Sequence, residues 1–247
     1  MPQWCPATVV EKKVWTEGLF SLAVRCPQVE SFAPGQFLHL AVIDGEKIIN
    51  RPYSVASPHG EILEFFIVVV PEGELTPRLW KLSAEDELQI SQKAAGGFTL
   101  TKTPLAETLW LLSTGTGLAP YIAMLRTKTP WERYKKIVVC HGVRFARDFG
   151  YGEELTSLAR EHGGQLAYIP AVTREETPGA IFGRLTTCLE NGSMESAAGC
   201  ELKPENSAVM LCGNPDMLDQ MEEMLITRGL KRHRSKSPGH IVTERYW

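Results

Sequence analysis

The second half of this 247-residue sequence contains four short apolar runs, each followed by a turn or by a segment with helical periodicity. The runs are Leu109–Ser113, Ile137–Cys140, Leu166–Ile169 and Ala208–Cys212. Continuous apolar runs of this length that alternate with helices are typical of buried parallel strands joined by crossover helices. The pattern therefore predicts a parallel-sheet α/β domain in this half of the chain.

The first half has the pattern of an antiparallel β-structure. Its apolar segments are rich in β-branched and aromatic residues, are separated by glycine, proline or Asp-Gly, and lie at Ala7–Val10, Leu19–Val24, Gln36–Ile43 and Leu63–Val70. Short strands at near-regular spacing favour a closed antiparallel barrel or a sandwich. Thr76-Pro77 predicts the start of one short helix among them.

The change of pattern around Thr101–Glu107 marks a domain boundary. We therefore predict an N-terminal antiparallel β-barrel domain over residues 1–102 and a C-terminal parallel-sheet α/β domain over residues 103–247.

Composition and charge exclude several classes of function. Apolar residues at 43% and charged residues at 22% are globular values, and the formal net charge of -3 gives no basis for nucleic-acid or membrane binding by the whole surface. The six cysteines are too far apart for zinc or iron–sulphur ligation, so no metal site is expected. Neither a signal peptide nor a membrane-spanning run is recognisable, which favours the cytoplasm and reduced thiols.

The stretch Arg51-Pro52-Tyr53-Ser54 combines three kinds of ligand contact. Arginine is a planar donor suited to phosphate, tyrosine offers a flat apolar face, and a serine hydroxyl both donates and accepts. The stretch indicates a flat, phosphorylated ligand, with an ordinary passage from loop to strand as the alternative.

A glycine turn, Gly115-Thr116-Gly117-Leu118-Ala119-Pro120, follows the first strand of the α/β half and opens a helix. Glycines at such a junction let the backbone approach a pyrophosphate. Pro120 replaces the third glycine of the dinucleotide fingerprint, and the lysine of a P-loop is missing. A purely structural turn therefore remains the alternative.

Arginines follow the next two predicted strands, at Arg144 and Arg174, and Arg184 in Phe182-Gly183-Arg184 could join them. An arginine in place of the usual acidic residue suits the 2′-phosphate of NADP, although surface arginines are common. The last apolar run ends in Cys212-Gly213-Asn214-Pro215-Asp216-Met217, where the cysteine either abuts a ring or is merely buried. No base lies nearby in the sequence, so a nucleophile is not predicted.

In this order and domain placement, the motifs Arg-Pro-Tyr-Ser, Gly-Thr-Gly-Leu-Ala-Pro and Cys-Gly-Asn-Pro-Asp-Met resemble those of the ferredoxin–NADP reductase family. The ending Glu244-Arg245-Tyr246-Trp247 is similar to the bacterial ferredoxin/flavodoxin type, in which the chain continues past the tyrosine that ends plastid members. The cysteine-bearing motif of plastid members is missing.

The resemblance implies FAD on the barrel and NADP(H) on the second domain. Arg51 would hold the FAD pyrophosphate, Tyr53 would pack on the isoalloxazine, and Ser54 would reach its N5 edge. The other implied FAD contacts are Pro52, Phe66, Ile67, Val68, Glu74, Leu75, Thr76, and Tyr246 and Trp247 of a tail that returns to the flavin. The implied NADP contacts are Gly115, Thr116, Gly117, Val143, Arg144, Thr173, Arg174, Arg184, Asn214, Pro215, Asp216 and Met217. Tyr53, Ser54, Cys212 and Glu244 would form the catalytic set.

The implied activity is hydride transfer between NADPH and FAD, followed by single-electron transfer to ferredoxin or flavodoxin. The basic run Arg228–Lys236 would help to dock that acidic carrier, or is a solvated loop. A monomer is the family's usual state. The alternatives are an NADPH–flavin reductase or oxygenase reductase component, and a non-catalytic flavin redox sensor.

Overall fold

Twelve strands and seven α-helices form the part of the chain that this computed structural model describes, residues 3–245. These residues divide into two compact units. The first holds the residues up to Thr99 together with Ala119–Thr127, and the second holds Leu100–Leu118 and the residues from Lys128 onward.

The first unit is built on a six-stranded antiparallel sheet in the order β4-β3-β6-β1-β2-β5. The strands are β1 (Trp4–Thr16), β2 (Leu19–Arg25), β3 (Phe37–Asp44), β4 (Lys47–Ser54), β5 (Ile62–Val68) and β6 (Glu87–Ser91). An antiparallel bridge between Val55 and Phe65 brings the end of β4 to β5, the two outer strands of that order, as in a closed barrel. The predicted antiparallel barrel is confirmed.

The interior of this barrel is filled by alternate side chains of its strands. Val9, Phe20, Leu22, Leu40 and Phe65 are each 0% exposed, as expected when every second residue of a strand faces the core. The helix α1 (Thr76–Lys81) begins with Pro77 in its first turn and buries Leu79 in the same core.

Strand β5 ends at Val68, two residues before the end that the apolar run predicts. The amide of Val70 donates to the Thr76 hydroxyl at 2.8 Å, and the Gly73 amide donates to the Val70 carbonyl at 2.9 Å. These contacts turn the chain out of the sheet, and Pro71 cannot donate to a strand ladder.

The second unit is built on a six-stranded parallel sheet in the order β10-β9-β8-β7-β11-β12. Its strands are β7 (Thr108–Thr114), β8 (Lys136–Val143), β9 (Leu166–Val172), β10 (Ile181–Phe182), β11 (Ser207–Gly213) and β12 (Ile241–Arg245). The four apolar runs form β7, β8, β9 and β11, so the predicted parallel sheet is confirmed. The runs of β10 and β12 are too short to be recognised by pattern.

Helices alternate with these strands along the sequence and connect them. They are α3 (Thr129–Arg133), α4 (Gly152–Glu161), α5 (Leu185–Glu190), α6 (Ser193–Ala198) and α7 (Pro215–Thr227). The strand order reverses between β7 and β11, so their carboxyl ends flank the position at which open parallel sheets bind ligands.

The helix α2 (Ala119–Leu125), which follows the glycine turn, is part of the first unit. The Tyr121 ring centroid lies 5.9 Å from that of Phe98, and the Arg126 guanidinium is 2.5 Å from the Glu64 carboxylate. The chain thus returns once to the first unit after entering the second.

Among residues 3–245, no helix has both the length and the apolar character needed to cross a membrane. The same residues contain no cluster of three or more His, Cys, Asp or Glu side chains that could hold a metal ion.

Candidate functional site

The Arg51–Ser54 stretch forms the end of β4, paired with β3 so that Ser54 lies opposite Phe37. Pro52 is tolerated there because β4 is an outer strand of the sheet order. Tyr53 is half-buried, and its burial raises the pKa of the phenol to about 12. The Val55–Phe65 bridge brings the end of this stretch beside the β5 residues predicted to line a flavin.

Ser54 carries an unusual hydroxyl. The residue is 3% exposed, and its Oγ has no hydrogen-bond partner among the described residues. A buried hydroxyl without a partner costs about 1–3 kcal/mol, so such groups are rare unless a ligand satisfies them. A flavin edge at this position fits the unsatisfied Oγ.

We expect Ser54→Ala to stabilise the FAD-free protein by about 1 kcal/mol, because the orphaned hydroxyl is removed. With FAD bound, the gain should disappear, since the ligand then supplies the partner. Thermal unfolding with and without FAD measures the difference. Ser57→Ala is the matched control: Ser57 Oγ accepts from the Glu64 amide at 3.1 Å, so its loss should destabilise both forms. A gain for Ser54→Ala that FAD did not change would contradict this role.

Basic side chains surround the segment predicted to hold phosphates, Glu74–Thr76. Lys47 lies 2.6 Å from the Glu74 carboxylate, and Arg78 lies 2.5 Å from the Asp44 carboxylate. The Lys47 ammonium is the main cause of the lowered pKa of Glu74, to which Arg51 and Arg78 also contribute. Lys47 and Arg78 are not among the predicted site residues. Their positive charge, within β4 and α1, is the sequence signal that could have identified them.

The predicted contacts in this segment are backbone amides and the Thr76 hydroxyl. The hydroxyl already accepts from the Val70 amide and donates to the Val70 carbonyl at 3.3 Å. For the amides of Glu74, Leu75 and Thr76, the described residues provide no hydrogen-bond acceptor. The three backbone amides are therefore better placed to donate to a phosphate than the Thr76 hydroxyl.

The glycine turn packs tightly against the end of β11 in the second unit. A Cβ on Gly117 would lie 2.6 Å from the Cys212 carbonyl oxygen, and one on Gly213 would lie 2.3 Å from Thr114 Oγ1. Thr114 Oγ1 also accepts from the Asn214 amide at 2.8 Å. Two motifs that are about 100 residues apart in the sequence thus meet at the reversal of strand order, and only glycine fits at both contacts.

Cys212 and Glu244 lie opposite each other on the neighbouring parallel strands β11 and β12. Cys212 is 0% exposed, and Asn214 caps α7 by accepting from the Met217 amide at 3.2 Å. Partial burial raises the pKa of Glu244 to about 7. The carboxyl group is therefore poised to change charge near neutral pH.

Because the folded pKa of Glu244 is raised above its ordinary value, its charged form is disfavoured by folding. Its contribution to the free energy of unfolding is intact below about pH 4.5 and is lost as the pH rises through about 7. We expect Glu244→Gln to remove that loss, so the stability difference between variant and wild type should grow over this interval. Denaturant titrations at several pH values measure it. A difference that did not vary with pH would be the contrary result, and Glu223→Gln on α7 controls for the change in net charge.

The three arginines follow three adjacent strands. Arg144 follows β8, Arg174 follows β9, and Arg184 comes two residues after β10; all three are exposed. The Arg174 amide donates to the Arg144 carbonyl at 3.0 Å, which fixes the two strand ends together. Thr173 and Val143 are joined in the same way at 3.2 Å. The sheet therefore brings the three guanidinium-bearing segments to one edge.

The basic run and the C-terminal aromatic residues are the two remaining predicted features. In the basic run, Arg228 pairs with Glu195 at 2.9 Å and Arg232 pairs with Glu222, so part of its charge is neutralised. Lys231, Arg234 and Lys236 are exposed and lie in no ion pair with another described residue. Tyr246 and Trp247 lie outside the described residues.

His141 is not among the residues that the sequence predicts to form the site, yet it contacts the glycine turn. It lies at the end of β8, is 0% exposed, and its Nε2 is 2.9 Å from the Gly115 carbonyl oxygen. The sequence signal that could have identified it is a histidine within an otherwise apolar strand.

Comparisons with known proteins agree with this geometry. The family model of the oxidoreductase NAD-binding domain matches residues 111–223. A protein of Escherichia coli (strain K12) named flavodoxin/ferredoxin–NADP reductase is 40% identical over 250 residues, which cover 100% of both chains. A ferredoxin–NADP reductase of Pseudomonas aeruginosa is 36% identical and covers 94% of this chain and 93% of its own.

A solved structure is similar over the whole chain. The crystal structure of a ferredoxin NADP+ reductase from Neisseria gonorrhoeae, with bound FAD and NADP, superposes with a TM-score of 0.94 at 27% identity. It covers 100% of both chains. The similarity therefore extends beyond the second unit to the barrel.

Proposed function

We propose that this chain, which belongs to the flavodoxin/ferredoxin–NADP reductase family, transfers hydride between NADPH and FAD and single electrons between FAD and ferredoxin or flavodoxin. Residues 1–102 would form the FAD domain, and residues 103–247 would form the NADP domain with a tail that returns to the flavin. The FAD would supply both the hydride and the one-electron chemistry.

The observation that supports this function most directly lies in the second unit. The glycine turn meets Cys212–Asn214 where the strand order reverses, and three arginines follow strands at the same edge of the sheet. A pyrophosphate at the turn and a 2′-phosphate at the arginines are the two parts of NADP that such an edge recognises.

In the barrel, we assign the Tyr53 ring to stacking on the isoalloxazine and the Ser54 hydroxyl to its N5 edge. Arg51 and the amides of Glu74–Thr76 hold the pyrophosphate, and Phe66–Val68 with Pro52 line the flavin. The orphaned Ser54 Oγ and the basic surroundings of Glu74 support these roles.

In the second unit, Gly115–Gly117 and Asn214–Met217 contact the dinucleotide, and Val143, Arg144, Thr173, Arg174 and Arg184 hold the phosphorylated ribose. Cys212 and Glu244 complete the catalytic set with Tyr53 and Ser54. We assign Tyr246 and Trp247, which lie outside the described residues, to covering the flavin. The protein's task is orientation, since hydride transfer needs aligned rings and no proton from a side chain.

Anaerobic stopped-flow mixing of the FAD-loaded protein with NADPH tests this function. We expect flavin absorbance to fall on a catalytic timescale, with NADPH preferred over NADH, and added ferredoxin or flavodoxin to be reduced in turn. If NADPH left the bound flavin oxidised, the non-catalytic redox sensor would be the remaining alternative. If the protein reduced free flavins and no carrier protein, the result would favour the flavin reductase. Relatives that match over the full chain and are named for ferredoxin or flavodoxin favour the carrier protein.

The carrier would dock through the basic residues that form no ion pair with another residue of the described range 3–245, Lys231, Arg234 and Lys236. We expect reversal of these three charges to glutamate to slow carrier reduction about tenfold at low ionic strength, because electrostatic steering is lost, and to flatten the salt dependence. Reversing Lys102, Lys128 and Arg160 instead, which are also exposed, changes the net charge equally and serves as the control. An unchanged salt dependence in the first variant would exclude docking here.

We further propose a cytoplasmic monomer, in which all six thiols are free as in the structure.

A further inference from the structure

The His141 side chain is a buried polar group that the proposed reaction does not use. Its Nε2 is 2.9 Å from the Gly115 carbonyl oxygen, and its Nδ1 has no hydrogen-bond partner among the described residues. The Phe149 ring lies edge-on at 5.7 Å and limits rotation of the imidazole. The imidazole therefore has one polar contact among these residues, and that contact is to the glycine turn.

The direction of this hydrogen bond is fixed by chemistry. A carbonyl oxygen only accepts, so Nε2 must carry the hydrogen and donate it. Burial lowers the pKa of His141 to about 4, so the ring is neutral at neutral pH and has this single N–H. The single N–H of the His141 ring is therefore committed to the Gly115 carbonyl.

Gly115 is the residue of the turn that most needs such support. Its φ of +53° lies in the left-handed region, where glycine has other conformations of similar energy. The turn Gly115–Leu118 is a short 3-10 helix, whose internal hydrogen bonds have poor geometry. A donor from β8 fixes the first carbonyl of the turn from outside it.

Fixing that carbonyl also fixes the next amide. In a planar trans peptide the C=O and the following N–H point in opposite directions, so the Thr116 N–H is directed away from His141. His141 thus sets the orientation of the Gly115–Thr116 peptide, while the contacts of Gly117 with Cys212 set the position of the end of the turn.

We propose that His141 is a positioning residue that orients the Gly115–Thr116 peptide for the nicotinamide mononucleotide half of the dinucleotide, which includes one phosphate of the pyrophosphate at the turn. The inference rests on the proposed function. It assigns His141 no contact with the adenosine 2′-phosphate, which the arginines after β8, β9 and β10 bind.

Isothermal titration of the FAD-loaded protein with NADP+ and with 2′,5′-ADP tests the inference. The ligand 2′,5′-ADP carries the 2′-phosphate and the adenosine 5′-phosphate but lacks the whole nicotinamide mononucleotide half, including its phosphate. His141→Leu places an apolar side chain of similar volume at this position and removes the N–H that donates to Gly115. We expect its Kd for NADP+ to rise about tenfold, the value of one hydrogen bond, with the Kd for 2′,5′-ADP unchanged.

Two further variants separate the donor from the packing. A glutamine at 141 places an amide N–H near the Nε2 position, so His141→Gln should bind NADP+ within about threefold of wild type. His141→Asn is too short to reach Gly115 and should behave like His141→Leu, which also covers the case in which the leucine variant fails to fold. Ile169→Val trims the neighbouring strand β9 without touching the turn; it should lower Tm and leave both Kd values unchanged.

Equal weakening of both ligands, no weakening of NADP+, or failure of glutamine to restore binding would each overturn the role of His141. A wild-type protein that bound neither ligand would instead refute the proposed function, and the inference with it. The two failures are distinguished by the wild-type titration alone.

Discussion

Replacing Arg144 with glutamate is expected to raise the Kd for NADPH about a hundredfold, because a charge-assisted contact to the 2′-phosphate becomes a repulsive one. NADH lacks that phosphate, so its Kd should change by less than about threefold. The preference for NADPH would then largely disappear. Stopped-flow flavin reduction over a range of nucleotide concentrations gives both values.

The structure gives a reason to expect so large an effect from one arginine. The Arg174 amide donates to the Arg144 carbonyl at 3.0 Å, so the two residues lie side by side at the ends of their strands. We therefore expect a glutamate at 144 also to compete with the phosphate for the Arg174 guanidinium. Arg160→Glu, on the exposed face of α4, makes the same change in net charge and should leave both nucleotides unaffected. Equal losses for NADPH and NADH with Arg144→Glu would refute the 2′-phosphate assignment.

The second large effect is expected at Tyr53. Tyr53→Ala should weaken FAD binding about thirtyfold, since stacking of a ring on an aromatic side chain contributes about 1–3 kcal/mol. Tyr53→Phe retains the ring and should stay within about threefold of wild type. Fluorescence of released FAD measures the affinity, and the visible spectrum of the bound flavin reports on the stacking.

Tyr53 also packs against the barrel core, so its truncation lowers stability as well as affinity. Leu79→Ala, which opens the same core at a fully buried position away from the stretch, controls for that loss. If Tyr53→Ala bound FAD with normal affinity and an unchanged spectrum, the ring would not be the stacking face.

Much of the fold follows from local patterns in the sequence. Leu109–Ser113 and the three similar runs became parallel strands because a segment buried on both faces must be apolar throughout. The segments of the first half that are rich in β-branched and aromatic residues became antiparallel strands, and their buried side chains fill the barrel core. Strands β10 and β12 could not be found in this way, because Ile181–Phe182 and the apolar part of β12 are too short to carry a period.

The chemical groups that we propose for ligand binding could be recognised in the sequence alone: Arg51 to Ser54, the glycine turn, Cys212 and the arginines after the strands. Their residue types and local spacing carry that information, because hydrogen-bonding capacity and glycine's conformational freedom belong to single residues. Three features required the three-dimensional structure. The Ser54 hydroxyl is buried with no partner among residues 3–245, burial raises the pKa of Glu244 to about 7, and His141 donates to Gly115. Burial and hydrogen bonding depend on strands distant in sequence, so no local pattern encodes them.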